Sequence, residues 1–208
     1  MMEIAKLFQS GGPFMYPILI VFAFGLAITI ERFLYLIRTH NMTQKIWTQL
    51  GPMLKAEDYE RAKQLTQENK SPLAIVLNYG FARQKPNVKR KTVELAMEEG
   101  MMEAMPSLEQ RTHYLATFAN IATLLGLLGT IVGLIEAFTA VASADPADKA
   151  NLLSASISVA MNTTAFGLIV AIPLLLVHSY LSTKTARLVS SLEMASVKCL
   201  NLMNLDEE

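Results

Sequence analysis

Three long stretches of the chain, residues 7–30, 112–135 and 150–183, contain no Asp, Glu, Lys or Arg. Each exceeds the roughly 20 apolar residues that a helix needs to cross the hydrocarbon core of a bilayer. Lipid offers the backbone no hydrogen-bond partner, so a continuous apolar run of this length must satisfy its own N–H and C=O groups as a helix. A hydrophobic share of 52% and a mean hydropathy of +0.33 are too high for an ordinary soluble domain. The pattern predicts an all-α integral membrane protein with three transmembrane helices. The first run, "PFMYPILIVFAFGLAITI", follows one early cation, Lys6, and no small-x-small cleavage site comes after it. It therefore reads as a retained span rather than a removed signal peptide.

The cations are divided unevenly between the segments outside the spans. Residues 32–111 and the tail beyond residue 183 hold 16 of the 18 Lys and Arg; the N-terminal arm and the loop around Asp145 hold Lys6 and Lys149. The positive-inside bias places the cation-rich side in the cytoplasm. The expected layout is an outward-facing arm at 1–12, spans at 13–37, 113–141 and 153–181, and an outward loop at 142–152. A cytoplasmic helical segment occupies 38–112 and a cytoplasmic helical tail 182–208. The cytoplasmic segment is rich in helix formers, with breaks expected at the "GP" of 51–52, the "SP" of 71–72 and Pro86. "LAIVL" at 73–77 is too short to span and reads as packing between helices. The second span is expected to begin as a cytoplasmic helix, with Pro106 bending it or marking its start, and Pro173 is expected to loosen the third.

The second and third spans are unusual inside. "LLGLLGTIVGLIEAF", residues 124–138, holds Gly126, Gly129 and Gly133 with Thr130 and Glu136. At about 100° per residue, Ala119, Gly126, Gly133 and Ala137 cluster near Thr130, while Leu124, Leu128, Ile131 and Ile135 lie opposite. The small face suits close approach of another helix, as small-xxx-small patterns do in membranes, and the aliphatic face suits lipid. The third span repeats the design, with Ala160, Gly167 and Ala171 near Thr164 and with Asn162 and Thr163 adding polarity. Thr130 and Thr164 each fall about halfway along their spans, at a similar depth. Each hydroxyl could simply bond its own backbone one turn back; the alternative is a pair of hydroxyls offered to a common partner. Asn120, Thr123, Asn162 and Thr163 read as packing glue. Glu136 either snorkels to the outer interface or stands in a water-filled entrance, and His178 reads as interfacial.

Absences narrow the function. A proton path across the bilayer wants a titratable group near its middle, and no Asp, Lys or Arg lies in the middle of any span. If protons pass, another polypeptide must bring the acid. Three histidines without zinc spacing and no nucleophile–base arrangement argue against an enzyme and against a metal or cofactor. Three spans without repeats argue against a self-sufficient transporter. The single cysteine, Cys199, excludes an intrachain disulfide, and a formal net charge of zero gives no reason to expect nucleic acid.

"LATFANIATLLGLLGTIVGLIEAF" at 115–138 and "MNTTAFGLIVAIP" at 161–173 resemble the two characteristic helices of the TolQ/ExbB/MotA family. "ITIERFLYL" at 28–36 resembles the end of that family's first span, and three spans favour the TolQ/ExbB branch. The resemblance implies a ring, typically a pentamer, with the second and third helices extended into the cytoplasm. The ring surrounds a dimer of a single-span ExbD/TolR-like partner bearing an intramembrane aspartate. It also implies an inner-membrane location with a periplasmic N-terminus, and work on a TonB-like or TolA-like protein spanning the periplasm. Thr130 and Thr164 match the family's channel threonines and Thr163 a frequent neighbour. Two positions depart: Thr123 stands where proline is common, and Val159 where many members carry glutamate. The competing reading is a non-conducting scaffold whose small faces serve packing alone.

Overall fold

The computed structural model describes residues 11–85 and 88–203. They form six α-helices: α1 Met15–Lys55, α2 Tyr59–Gln67, α3 Pro72–Arg83, α4 Arg90–Glu109, α5 Thr112–Ser143 and α6 Lys149–Leu202. Three helical stretches, Met15–Lys55, Arg90–Ser143 and Lys149–Leu202, are long and apolar enough to cross a membrane. In their most apolar windows only 17%, 22% and 39% of residues are buried within the chain, so most of that surface needs an apolar environment from outside it. The fold is all-α with three spans.

The chain divides into two compact units, one of residues up to Glu31 with Arg111–Tyr180, the other of Arg32–Gln110 with residues from Leu181 onward. The first unit contains the apolar parts of α1, α5 and α6. Phe24 of α1 and Phe118 of α5 meet with ring centroids 6.4 Å apart, and Gly25 leaves room for Leu174 of α6.

The second unit is built around α3. Ser71 opens this helix, its Oγ accepting the Ala74 N–H at 3.2 Å, and Pro72 follows at the first helical position, where its missing N–H costs nothing. Leu73, Ala74, Val76, Leu77 and Phe81 are buried, so "LAIVL" does pack between helices. At Gly100 of α4 a Cβ would come within 3.0 Å of the Val76 Cα, so glycine sets how closely α4 and α3 approach. Arg32 is wholly buried, with its guanidinium 4.8 Å from the centre of the Tyr35 ring. Its Nη atoms donate to the carbonyls of Ser107, at 3.4 Å, and Leu108. Those carbonyls belong to the last turn of α4 and have no partner within the helix. A cation from α1 therefore caps α4, which the macrodipole also favours.

One expected proline break is absent, and Pro106 and Pro173 both stand inside helices. Gly51 and Pro52 do not break α1, which continues to Lys55. Pro52 sits in the last turn and forgoes a single backbone bond, and Gly51 lacks the Cβ that would press on the proline ring. Pro106 lies inside α4; the break before the second span falls at Arg111, a left-handed residue with φ 64° between α4 and α5. Pro106 releases only the carbonyl of Met102, which lies on an exposed face, whereas the turn at Arg111 carries an ion pair to Glu31 at 3.5 Å. Pro173 is contained in an uninterrupted α6. Pro86 lies outside the described residues.

Candidate functional site

In the first unit, α5 and α6 touch through their small residues. A Cβ on Gly126 would lie 3.2 Å from the Thr164 Cα, and one on Gly133 would lie 3.0 Å from the Ala160 Cβ. A Cβ on Gly167 would stand 2.7 Å from the Ala122 carbonyl oxygen, closer than real Cβ atoms come, and Gly129 abuts the Thr163 methyl. The two helices thus meet backbone to backbone, antiparallel, with 133 opposite 160, 129 opposite 163 and 126 opposite 164 and 167. Leu124, Leu128, Ile131 and Ile135 are exposed on the other side of α5, as the wheel predicts. The contact is centred on the line Gly126–Gly129–Gly133, not on Thr130, which sits half-buried at its flank.

The threonines are arranged around this contact. Thr164 donates its Oγ1 proton to the Gly126 carbonyl at 2.8 Å, a bond between the two helices. In the α-helical ladder that same carbonyl receives the amide of Thr130, so the two residues are neighbours within one turn. Thr130 donates its own Oγ1 proton to the Leu127 carbonyl at 2.6 Å. Both hydroxyls have committed their proton and retain oxygen lone pairs as acceptors. Thr164, like Thr130, is half-buried.

Thr163 faces elsewhere. It is buried, and its hydroxyl donates to the Gly11 carbonyl and to the Val159 carbonyl, the latter at 3.1 Å. Gly12 adopts φ +73°, a left-handed turn that glycine takes without steric cost, and Phe14 lies beside Gly129. Gly11 and Gly12 thus lie against α6, which the periodicity of the spans does not foretell. The "SGGPF" of 10–14 is the available signal, since Gly-Gly-Pro marks a tight turn.

The remaining polar residues are peripheral to the pair. Thr123 donates to the Ala119 carbonyl at 3.1 Å, and α5 runs unbroken where the family resemblance would put a proline kink. Asn162 and His178 are half-buried. Glu136 is exposed and forms no ion pair among the described residues. No cluster of His, Cys, Asp and Glu able to hold a metal ion occurs among the described residues. The site offers hydroxyl oxygens beside a glycine-lined contact between the two helices.

Three helices long and apolar enough to cross a bilayer, packed through small residues, are the pattern of a multi-pass membrane protein. Residues 68–194, more than half of the chain, match the MotA/TolQ/ExbB proton channel family, and the chain belongs to that family. It is 30% identical over 182 residues to a protein of Methanothermobacter thermautotrophicus described as a biopolymer transport ExbB homologue, a match covering 86% of this chain and 63% of that protein. It is 42% identical over 85 residues to the biopolymer transport protein exbB1 of Vibrio cholerae, covering 41% and 36% of the two chains. It is 36% identical over 89 residues to the Tol-Pal system protein TolQ of Haemophilus influenzae, covering 43% and 39%. The chain thus spans less than two thirds of the length of each of these relatives.

Proposed function

We propose that the chain is the ring-forming subunit of a proton-driven stator in a bacterial inner membrane, its N-terminus periplasmic and its C-terminus cytoplasmic. The ring, a pentamer, encloses a dimer of a single-span ExbD/TolR-like protein. That partner carries the intramembrane aspartate which the spans here lack. The observation that carries this reading is the bond from Thr164 to the Gly126 carbonyl, one turn from a half-buried Thr130. It supports the reading because it ties Thr164 to the turn of α5 that carries Thr130, so that both hydroxyls are candidates for one partner group. A protonated aspartic acid donates to such an oxygen; once ionised it accepts from a hydroxyl that has turned away from its own backbone. Each proton that crosses 100 mV supplies roughly 2.3 kcal/mol, which the assembly turns into movement of one component against the other. The work is delivered to a periplasmic or outer-membrane process such as TonB-dependent transport.

Replacing the hydroxyl by a methyl tests this with little change of shape. Thr130→Val and Thr164→Val are each expected to reduce proton flux at least tenfold in vesicles holding the chain and its partner, with Thr→Ser at either position retaining flux. Full flux in both valine variants would remove the threonines from the path. A scaffold reading draws on a different observation, that every threonine bond in the pair ends on a backbone carbonyl. It expects hydroxyl-free substitutes of similar size, valine at 130 and 164 among them, to be harmless.

A further inference from the structure

The second unit carries two surfaces that ion conduction does not use. One is a groove of about 680 Å³ between residues 40–48 of α1 and residues 183–198 of α6. Trp47, Leu73, Met194 and Ala195 give it an apolar lining; its charged groups are Arg187 and Lys198, and no carboxylate lines it. A hollow of about 590 Å³ continues it past Trp47 and Lys198 to Lys55, again without an acid. Among the described residues neither Arg187 nor Lys198 is in an ion pair.

The other surface is the outer stripe of α4. Leu95, Glu98, Glu99, Met102 and Glu109 recur at helical spacing on one side of the helix, and all are exposed. Leu95 is 52% and Met102 72% exposed. The stripe is an apolar ridge edged with the carboxylates of Glu98, Glu99 and Glu109, with Lys91, paired to Glu94, at its start. The groove is an apolar trough edged with cations.

We propose that the α4 ridge of one copy seats in the α1–α6 groove of the next, joining their cytoplasmic units head to tail. Opposite charges fix the register and reject like surfaces, while Leu95 and Met102 supply the apolar contact. A heterologous contact of this kind closes into a ring when its rotation permits. Closure rests on the ring reading above; the contact itself rests on the two complementary surfaces of one chain.

The test uses the full chain in its membrane, with cysteines introduced by Met102→Cys and Met194→Cys and copper phenanthroline as oxidant. The double variant is expected to give a ladder from dimer upward, and each single variant none beyond background. Glu98→Lys with Glu99→Lys is expected to cut the ladder yield several-fold in that background, as is Arg187→Glu with Lys198→Glu. Combining all four charge changes is expected to restore it. No ladder from complexes whose native mass is still that of a ring would overturn this contact and leave the ring standing. A ladder that stops at the dimer would overturn the head-to-tail arrangement. A monomeric native mass would remove both the ring and the contact.

Discussion

Thr164 differs from Thr130, Thr123 and Thr139 of α5, whose hydroxyls stay on their own helix, by what it touches. Thr123 and Thr139 bond the carbonyl one turn back, the ordinary habit of a membrane-helix threonine, at 3.1 and 2.8 Å. Thr164 reaches across to α5, and it can do so because Gly126 and Gly167 bring the backbones together. The glycines are therefore conditions for the hydroxyl's position. Gly167→Ala sets a Cβ against a backbone oxygen that cannot turn aside, at 2.7 Å, whereas Gly133→Ala meets the Ala160 methyl at 3.0 Å. Alanine at 167 is expected to cost about 1–3 kcal/mol, in the range of overpacked interiors, and alanine at 133 about half as much. Midpoints of thermal unfolding in detergent would check the order, and equal midpoints would contradict it. Glycine, alanine and threonine at helical spacing made the face legible in the sequence. The seat of Gly11 on Thr163 and the burial of Arg32 were not legible, because both depend on residues 152 and about 75 positions away.

At the scale of elements, a residue type signals a boundary only when its surroundings leave the backbone no alternative. Ser71-Pro72 opens α3 as the sequence suggests, since the serine cap and the proline's fixed φ both belong at a helix start. Gly51-Pro52 and Pro106 look like equally firm stops, yet helix passes through both. Their lost bonds fall at a last turn or on an exposed face, and neighbouring turns hold the helix. The stop that matters is at Arg111, which carries no turn-forming sequence mark. It follows an α4 terminus whose carbonyls are taken by the buried Arg32. Arg32→Met keeps most of the side-chain bulk and removes the donors. It is expected to lower the stability of the second unit by about 2–3 kcal/mol, the scale of hydrogen bonds to a charged group. Amides at the end of α4 should then exchange with solvent faster than those at its start. Unchanged exchange near Ser107 and Leu108 would show that water replaces the guanidinium at no cost.

For the whole molecule, the distribution of cations is the feature that most directly sets orientation. Sixteen of 18 Lys and Arg fall on one side of the three spans, and the loop between α5 and α6 carries Asp145 and Asp148 with a single Lys149. The energetic origin is the reluctance of cation-rich short segments to cross the bilayer during insertion. The prediction is that Ala147→Cys, in that loop, is labelled from outside intact cells by a membrane-impermeant maleimide. Gln64→Cys, exposed on α2, should be labelled only after the membrane is opened. The one native thiol does not confuse the result. Cys199 is wholly buried, and burial pushes its pKa up to about 12, so at the neutral pH of labelling it is neither accessible nor a thiolate. The wild-type chain therefore provides a blank on both sides of the membrane. Labelling of position 64 from outside intact cells would invert the orientation.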